Sequence, residues 1–248
     1  MPIQILFDGS VAKHLDAPEA NEDAYRLAAA SGRIVLSDGA SESFDAKNWA
    51  ALLVDQFLEH PANLSDAIAT STRQYEALHD APNLSWSKAA AYERGSFGTL
   101  LVAQDEAEQL RIRVTAIGDS FAALTDGEQM LACAPYQSSE QFSLHPTLIS
   151  TKPDLNALLF DDGSGIRTEV VWPYETHGYR LLLCMTDALA AWLLEHQERS
   201  DPTALERLHA VRELEELVSL VEEQRAKGSM RRDDTTLIIA ALTGAGHL

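Results

Sequence analysis

Carboxylates gather in this chain where apolar runs begin or end. The places are Asn21-Glu22-Asp23-Ala24, Ser37-Asp38-Gly39-Ala40, Thr186-Asp187-Ala188 and Arg232-Asp233-Asp234-Thr235. Three of these sites directly abut a strand-like apolar run, so the carboxylate leaves a buried strand and points into whatever cleft lies at the sheet edge. A buried charge without a partner is costly. A divalent metal relieves that cost, because hard cations take carboxylate and carbonyl oxygens. Aspartate also caps helices and starts turns, so each site read alone is more simply a cap or a turn.

The elements that must position these groups follow from periodicity. Tyr25 to Ala29 and Arg33 to Ser37 are short apolar runs joined by Ser31-Gly32, which predicts a hairpin. From Asp45 to His60, Trp49, Leu52, Leu53, Gln56 and Phe57 recur near helical spacing, and Pro61 ends the run. A second helix is expected over Leu64 to Leu78. Strands are expected over Thr99 to Ala103, Leu110 to Ile117 and Phe121 to Thr125, then over Glu128 to Cys133 after the Asp126-Gly127 turn. Residues 134 to 168 are rich in Ser, Pro, Asp and Gly and read as a long loop or flap. Val170 to Trp172 and Arg180 to Met185 return to strand, Leu189 to His196 and Leu205 to Gln224 read as helices, and Thr235 to Leu242 is the last strand. Grouped strands with paired helices argue for an α+β layered fold, in one domain over residues 1–248. The Glu-rich stretch from Glu213 to Glu223 reads as a solvated face over a Leu/Val stripe.

Composition narrows the function. The 248 residues are 46% hydrophobic, enough for a real core, and 19 Lys+Arg against 38 Asp+Glu give a net charge of −19. Such a chain repels nucleic acid backbones and anionic membranes, so neither is an expected partner. Cys133 and Cys184 lie far apart in no metal-binding grouping, and Cys184 in its apolar run reads as a buried, reduced thiol. There is no signal-peptide pattern and no run of 18 apolar residues, so a soluble cytoplasmic protein is expected. The histidines form no pair at ligand spacing, and Trp49, Trp86, Trp172 and Trp192 read as core or interface aromatics.

Taken in order, Asn21-Glu22-Asp23, Asp38-Gly39, Gly95-Ser96-Phe97-Gly98-Thr99, Gly118-Asp119-Ser120, Thr186-Asp187 and Arg232-Asp233-Asp234-Thr235-Thr236 resemble the type 2C metal-dependent protein phosphatase family. The resemblance runs from about residue 21 to 242. It implies an α-β-β-α sandwich, two antiparallel sheets flanked by helices, with two Mn²⁺ or Mg²⁺ ions, or three, in a cleft at one end. It makes Asp38 the carboxylate shared by two metals, Gly39 a carbonyl ligand, and Asp187 and Asp233 the holders of the second metal. Glu22 and Asp23 match an acidic pair that acts through metal-held waters, and Asp119 a residue holding a third, weaker metal. The implied reaction is hydrolysis of phosphoserine or phosphothreonine in a phosphoprotein by a hydroxide bridging the metals, without a covalent intermediate. Asp38 and Asp119 are the residues expected to act in catalysis. A serine/threonine kinase is the expected counterpart.

The sequence departs from the family pattern near the phosphate. The arginine that often precedes the acidic pair is missing from Asp16-Ala17-Pro18-Glu19-Ala20; Lys13 and His14 read more simply as surface residues, with substitution for that arginine as the alternative. Glu42 adds negative charge to the loop after Asp38-Gly39, and Ala188 stands where glycine is usual. These departures keep open a second reading, a catalytically weak regulatory or binding module on the same fold.

Overall fold

Runs such as Leu181-Leu182-Leu183-Cys184-Met185 are apolar at every position, the pattern of a strand covered on both faces. The computed structural model describes residues 3–60, 63–79, 83–161, 163–174 and 180–242. Its strands are β1 (Gln4–Val11), β2 (Ala24–Ala28), β3 (Arg33–Ser37), β4 (Phe97–Gly98), β5 (Leu100–Glu106) and β6 (Arg111–Ile117). They continue as β7 (Phe121–Thr125), β8 (Met130–Ala134), β9 (Ile149–Ser150), β10 (Arg167–Pro173), β11 (Arg180–Met185) and β12 (Thr235–Leu242). The α-helices are α1 (Ala46–Glu59), α2 (Leu64–Leu78), α3 (Trp86–Arg94), α4 (Asp187–Glu198), α5 (Thr203–Ala210) and α6 (Leu214–Ala226).

One sheet runs β1-β12-β11-β7-β8 and the other β10-β6-β5-β3-β2, with antiparallel pairing throughout, and β4 and β9 form a small ribbon. Period-two alternation divides the apolar side chains between layers. Leu182 and Cys184 of β11 pack with Ile34, Leu36, Leu101 and Val114 between the sheets. Leu181, Leu183 and Met185 turn the other way, against Trp192 and Leu193 of α4 and Leu217 and Val221 of α6. Val35, Leu100 and Val102 meet Trp49, Leu53 and Phe57 of α1 and Tyr75 of α2. The result is the expected four-layer α-β-β-α sandwich.

The predicted hairpin forms as β2 and β3, with Gly32 in the left-handed region at φ 68°. Asp45 and Asn63 cap α1 and α2 by accepting main-chain N–H bonds from Asn48 and Asp66. The stretch expected as one helix from Leu205 to Gln224 is two, α5 and α6. It breaks at Val211–Glu213, where Glu216 reaches back to the Glu213 N–H in a capping box. The solvated glutamate face appears on α6, over buried Leu217, Leu220 and Val221. Neither β1 nor α3 follows from the apolar period, and α3 buries none of its residues. Trp86 on α3 is 87% exposed, unlike buried Trp49, Trp172 and Trp192. The flap holds 3₁₀ turns at Ser139–Ser143 and Pro153–Phe160 besides β9. Pro61, His177 and His247 lie outside the described residues.

Candidate active site

Strand register carries the carboxylates to one end of the sandwich. Ala24 of β2 faces Ser37 of β3, so Asp23 and Asp38 leave the ladder side by side. Leu36 faces Leu101, and Leu100 faces Ile117, which brings Asp38, Thr99 and the Gly118-Asp119 turn to the same edge. That turn carries the chain from β6 in one sheet to β7 in the other. There Phe121 faces Met185, and Met185 also faces Leu237, so Asp187 and the segment before Thr235 close the ring. Asp38, Thr99, Asp119, Asp187 and Asp233 line a cleft of about 210 Å³ with Lys13, Gly39, Ala40, Ser41, Pro146 and Leu148, while Glu22 and Asp23 stand outside its lining.

Short motifs lock these ends together. The Asp38 N–H donates to Thr99 Oγ1 at 2.8 Å, the Thr99 N–H donates to the Asp38 carbonyl at 2.9 Å, and Thr99 Oγ1 meets Ser120 Oγ at 2.6 Å. Gly118 has φ 87°, and a Cβ there would lie 2.8 Å from Thr99 Cγ2, so only glycine fits this turn. A Cβ on Gly39 would lie 2.8 Å from the Ala46 carbonyl oxygen, so glycine is what lets the cleft floor lie on the start of α1. Across the cleft, Thr186 Oγ1 donates to Asp23 Oδ2 at 3.2 Å and accepts the Thr236 N–H at 2.9 Å, and Thr236 Oγ1 donates to the same Asp23 oxygen at 2.6 Å. Arg225, buried, donates to the Asp233 carbonyl and to the Ala12 carbonyl and so fixes the last acidic segment against β1.

Crowded carboxylates with little water raise one another's proton affinity. Burial pushes Asp23 up to about 7, with Asp234 and Asp233 adding to the shift and the Thr236 and Thr186 hydroxyls opposing it. Asp38 is held well above the ordinary carboxylate range by burial and by Asp23, Asp119 and Asp233, with Arg231 pulling it back. Burial also raises Asp119, again against Arg231. Glu22 is raised by burial, against a hydrogen bond from Ser41.

The cleft thus brings together Asp38, Gly39, Asp119, Asp187 and Asp233, with Asp23 beside Asp38 and Glu22 at the edge. Lys13 lies 3.5 Å from Asp233 Oδ1, whereas His14 and Glu42 are exposed and outside the lining. Sequence reasoning missed the job of Asp234. It takes the main-chain N–H of Lys13 on Oδ1 at 2.6 Å and that of Glu22 on Oδ2 at 2.8 Å. It also missed Arg231, which pairs with Asp187 Oδ2 and lies 3.7 Å from Asp233 Oδ2. The signal available for Arg231 was a basic residue two positions before a candidate ligand.

Among the described residues, no three His, Cys, Asp or Glu side chains form a ready-made cation-holding group. The donor set nonetheless fits a hard divalent cation. It is all oxygen, it carries excess negative charge, and the buried Asp187 Oδ1 and Asp23 Oδ1 have no hydrogen-bond partner.

Comparisons with protein-family models and with curated proteins find no match. Solved structures do match. The Mycobacterium tuberculosis serine/threonine phosphatase PstP/Ppp is similar over 98% of this chain and 100% of its own, at 17% identity and a TM-score of 0.62. The catalytic domain of PstP in complex with two manganese ions covers 98% and 99%, at 17% identity and 0.58. The photosystem II phosphatase PBCP covers 97% and 99%, at 13% identity and 0.59. At these identities the likeness is one of fold, and the fold of this chain is that of the type 2C serine/threonine phosphatases.

Proposed function

We propose that this chain is a metal-dependent phosphatase that hydrolyses phosphoserine or phosphothreonine in proteins, acting as one domain over residues 1–248. The observation that carries the reading is the convergence of Asp38, Asp119, Asp187 and Asp233 on one cleft, with a buried Asp187 oxygen left without a partner. Asp38 would be shared by two Mn²⁺ or Mg²⁺ ions, and the Gly39 carbonyl would help to hold one of them. Asp187 and Asp233 would hold the second, Glu22 and Asp23 would act through water, and Asp119 would hold a third. When bound, such cations neutralise phosphoryl oxygens and lower the pKa of water.

The chain's own residues do the rest. Thr99 fixes the Asp38 main chain, so the point from which its carboxylate enters the cleft is set before any ligand arrives. Thr186 and Thr236 fix Asp23 on one oxygen and leave the other without a partner. Lys13 lines the cleft and is the cation best placed to meet a phosphoryl oxygen. Pro146 and Leu148 from the flap cover one side and limit water. Neither thiol competes as a nucleophile, since both cysteines are buried and burial raises both.

A phosphoprotein substrate, a kinase counterpart and a signalling role belong to the same proposal. No described helix is long and apolar enough to cross a membrane. A catalytically weak module on the same fold is the competing reading, favoured by the Arg231–Asp187 ion pair. Hydrolysis of a phosphothreonine peptide separates the two. We expect turnover with Mn²⁺ and none with EDTA. Mn²⁺ binding without turnover would favour the weak module, and undiminished turnover in metal-free protein would refute the metal-dependent reaction.

A further inference from the structure

Arg231 is the charged residue of the cleft that hydrolysis does not call for. Its Nη2 pairs with Asp187 Oδ2, and its Nε lies 3.7 Å from Asp233 Oδ2. These are the carboxylates assigned above to the second cation. Its charge also reaches Asp38 and Asp119, where it opposes the upward push of burial.

The surroundings make this side chain a movable one on a fixed backbone. Met230 before it is buried, and Arg225 holds the Asp233 carbonyl after it. The Arg231 side chain itself is 46% exposed, while that of Asp187 is 7% exposed. Arg231 therefore reaches inward from the rim to a buried carboxylate and has solvent to return to. The neighbouring cations differ. Arg232 lies 4.0 Å from Glu222 and donates to the Lys13 carbonyl, and Arg225 is buried against main-chain oxygens.

A guanidinium on Asp187 Oδ2 and near Asp233 Oδ2 weakens the hold of these carboxylates on a divalent cation, because like charges a few ångströms apart in a crowded cleft repel. We propose that Arg231 competes with the metal: it neutralises Asp187 and Asp233 in the metal-free chain, must swing to the rim before they take a cation, and so sets the metal affinity of the cleft. The inference rests on the reading of this cleft as a metal site.

The test is calorimetric titration of metal-free protein with MnCl₂, which needs no turnover. Arg231→Gln keeps most of the length and loses the charge. It should bind Mn²⁺ about tenfold more tightly than wild type, about 1.4 kcal/mol. Its metal-free melting temperature should fall, because Asp187 loses its counter-ion, while the Mn²⁺-saturated proteins should melt together. Arg231→Lys keeps the charge without the planar fork and should fall between them. Arg232→Gln should match wild type. Equal or weaker Mn²⁺ binding by Arg231→Gln would overturn the proposal and leave the metal site standing. Absence of Mn²⁺ binding in both proteins would overturn the metal site and this proposal with it. If Arg231→Gln does not fold without metal, Arg231→Lys against wild type carries the comparison, and equal affinity again overturns the proposal.

Discussion

Asp234 Oδ2 accepts the main-chain N–H of Glu22 at 2.8 Å, joining the start of β12 to the loop that enters β2. Its other oxygen takes the Lys13 N–H at 2.6 Å, so one carboxylate clasps both segments that bring Glu22, Asp23 and Lys13 to the cleft. Asp234 is thus a scaffold residue beside a candidate ligand. Asp234→Ala leaves two main-chain donors without partners, and hydrogen bonds to a charged acceptor contribute about 1.5–3 kcal/mol each. Loss of Asp234 also relieves its repulsion of Asp23 and Glu22, which offsets part of the two bonds, so the expected net loss is about 2–4 kcal/mol in chemical denaturation. A loss below about 1 kcal/mol would show that water replaces the clasp.

Asp38 separates activity from stability. Its main chain is held by Thr99, so Asp38→Asn leaves the local backbone bonds intact. The substitution removes a charge from a crowd of Asp23, Asp119 and Asp233. The metal-free melting temperature should hold or rise, while Mn²⁺ binding collapses and the rate falls by about 10² or more, about 2.7 kcal/mol on the barrier. Normal activity in this variant would remove Asp38 from the reaction.

Asp23 gives the metal-free chain a characteristic pH response. Its carboxyl is raised from 3.8 to about 7, mainly by burial. Through that window the folded chain keeps a proton that the unfolded chain has lost, so this group's contribution to stability falls as pH rises and is gone above about 7. Asp23→Asn has no proton to lose. Its melting temperature should gain on wild type between pH 5 and pH 8 in the presence of chelator. Parallel melting curves across that range would contradict the raised carboxyl.

Asp119 is expected to give a rate phenotype without a folding one. It is buried in the acidic cleft just after a glycine turn, and burial raises its carboxyl. Asp119→Ala should keep the tight Mn²⁺ sites and the melting temperature, and lose much of the rate at saturating Mn²⁺. The loss should be larger for a phosphothreonine peptide, whose alkoxide needs a proton, than for an activated aryl phosphate, whose phenolate does not. Equal losses would argue against a role in proton delivery.

The parts of this fold that could be read from the sequence are those where the local pattern and the tertiary environment agree. Ile34–Leu36 of β3, Leu181–Met185 of β11 and Leu237–Leu242 of β12 are unbroken apolar runs because they are covered on both faces, and α1 carries its apolar stripe between a capping aspartate and His60. The split between α5 and α6 was hidden because Val211 keeps the apolar period going through the break. Helix α3 was hidden because it buries nothing and so has no period to read. In the cleft, order along the chain and strand ends were enough to nominate the carboxylates. The partners of Asp234 and Arg231 were not legible, because Lys13 and Glu22 lie more than 200 positions from Asp234 and the Asp187 contact depends on where a long side chain comes to rest.

As proposed above, this cleft would hold divalent cations between Asp38 and the pair Asp187 and Asp233. Anomalous diffraction from a crystal soaked in MnCl₂ tests it most directly. Two strong peaks are expected in the cleft, both touching Asp38, with one also against Asp187 and Asp233. A crystal saturated with Mn²⁺ that shows no anomalous peak among these carboxylates would contradict it.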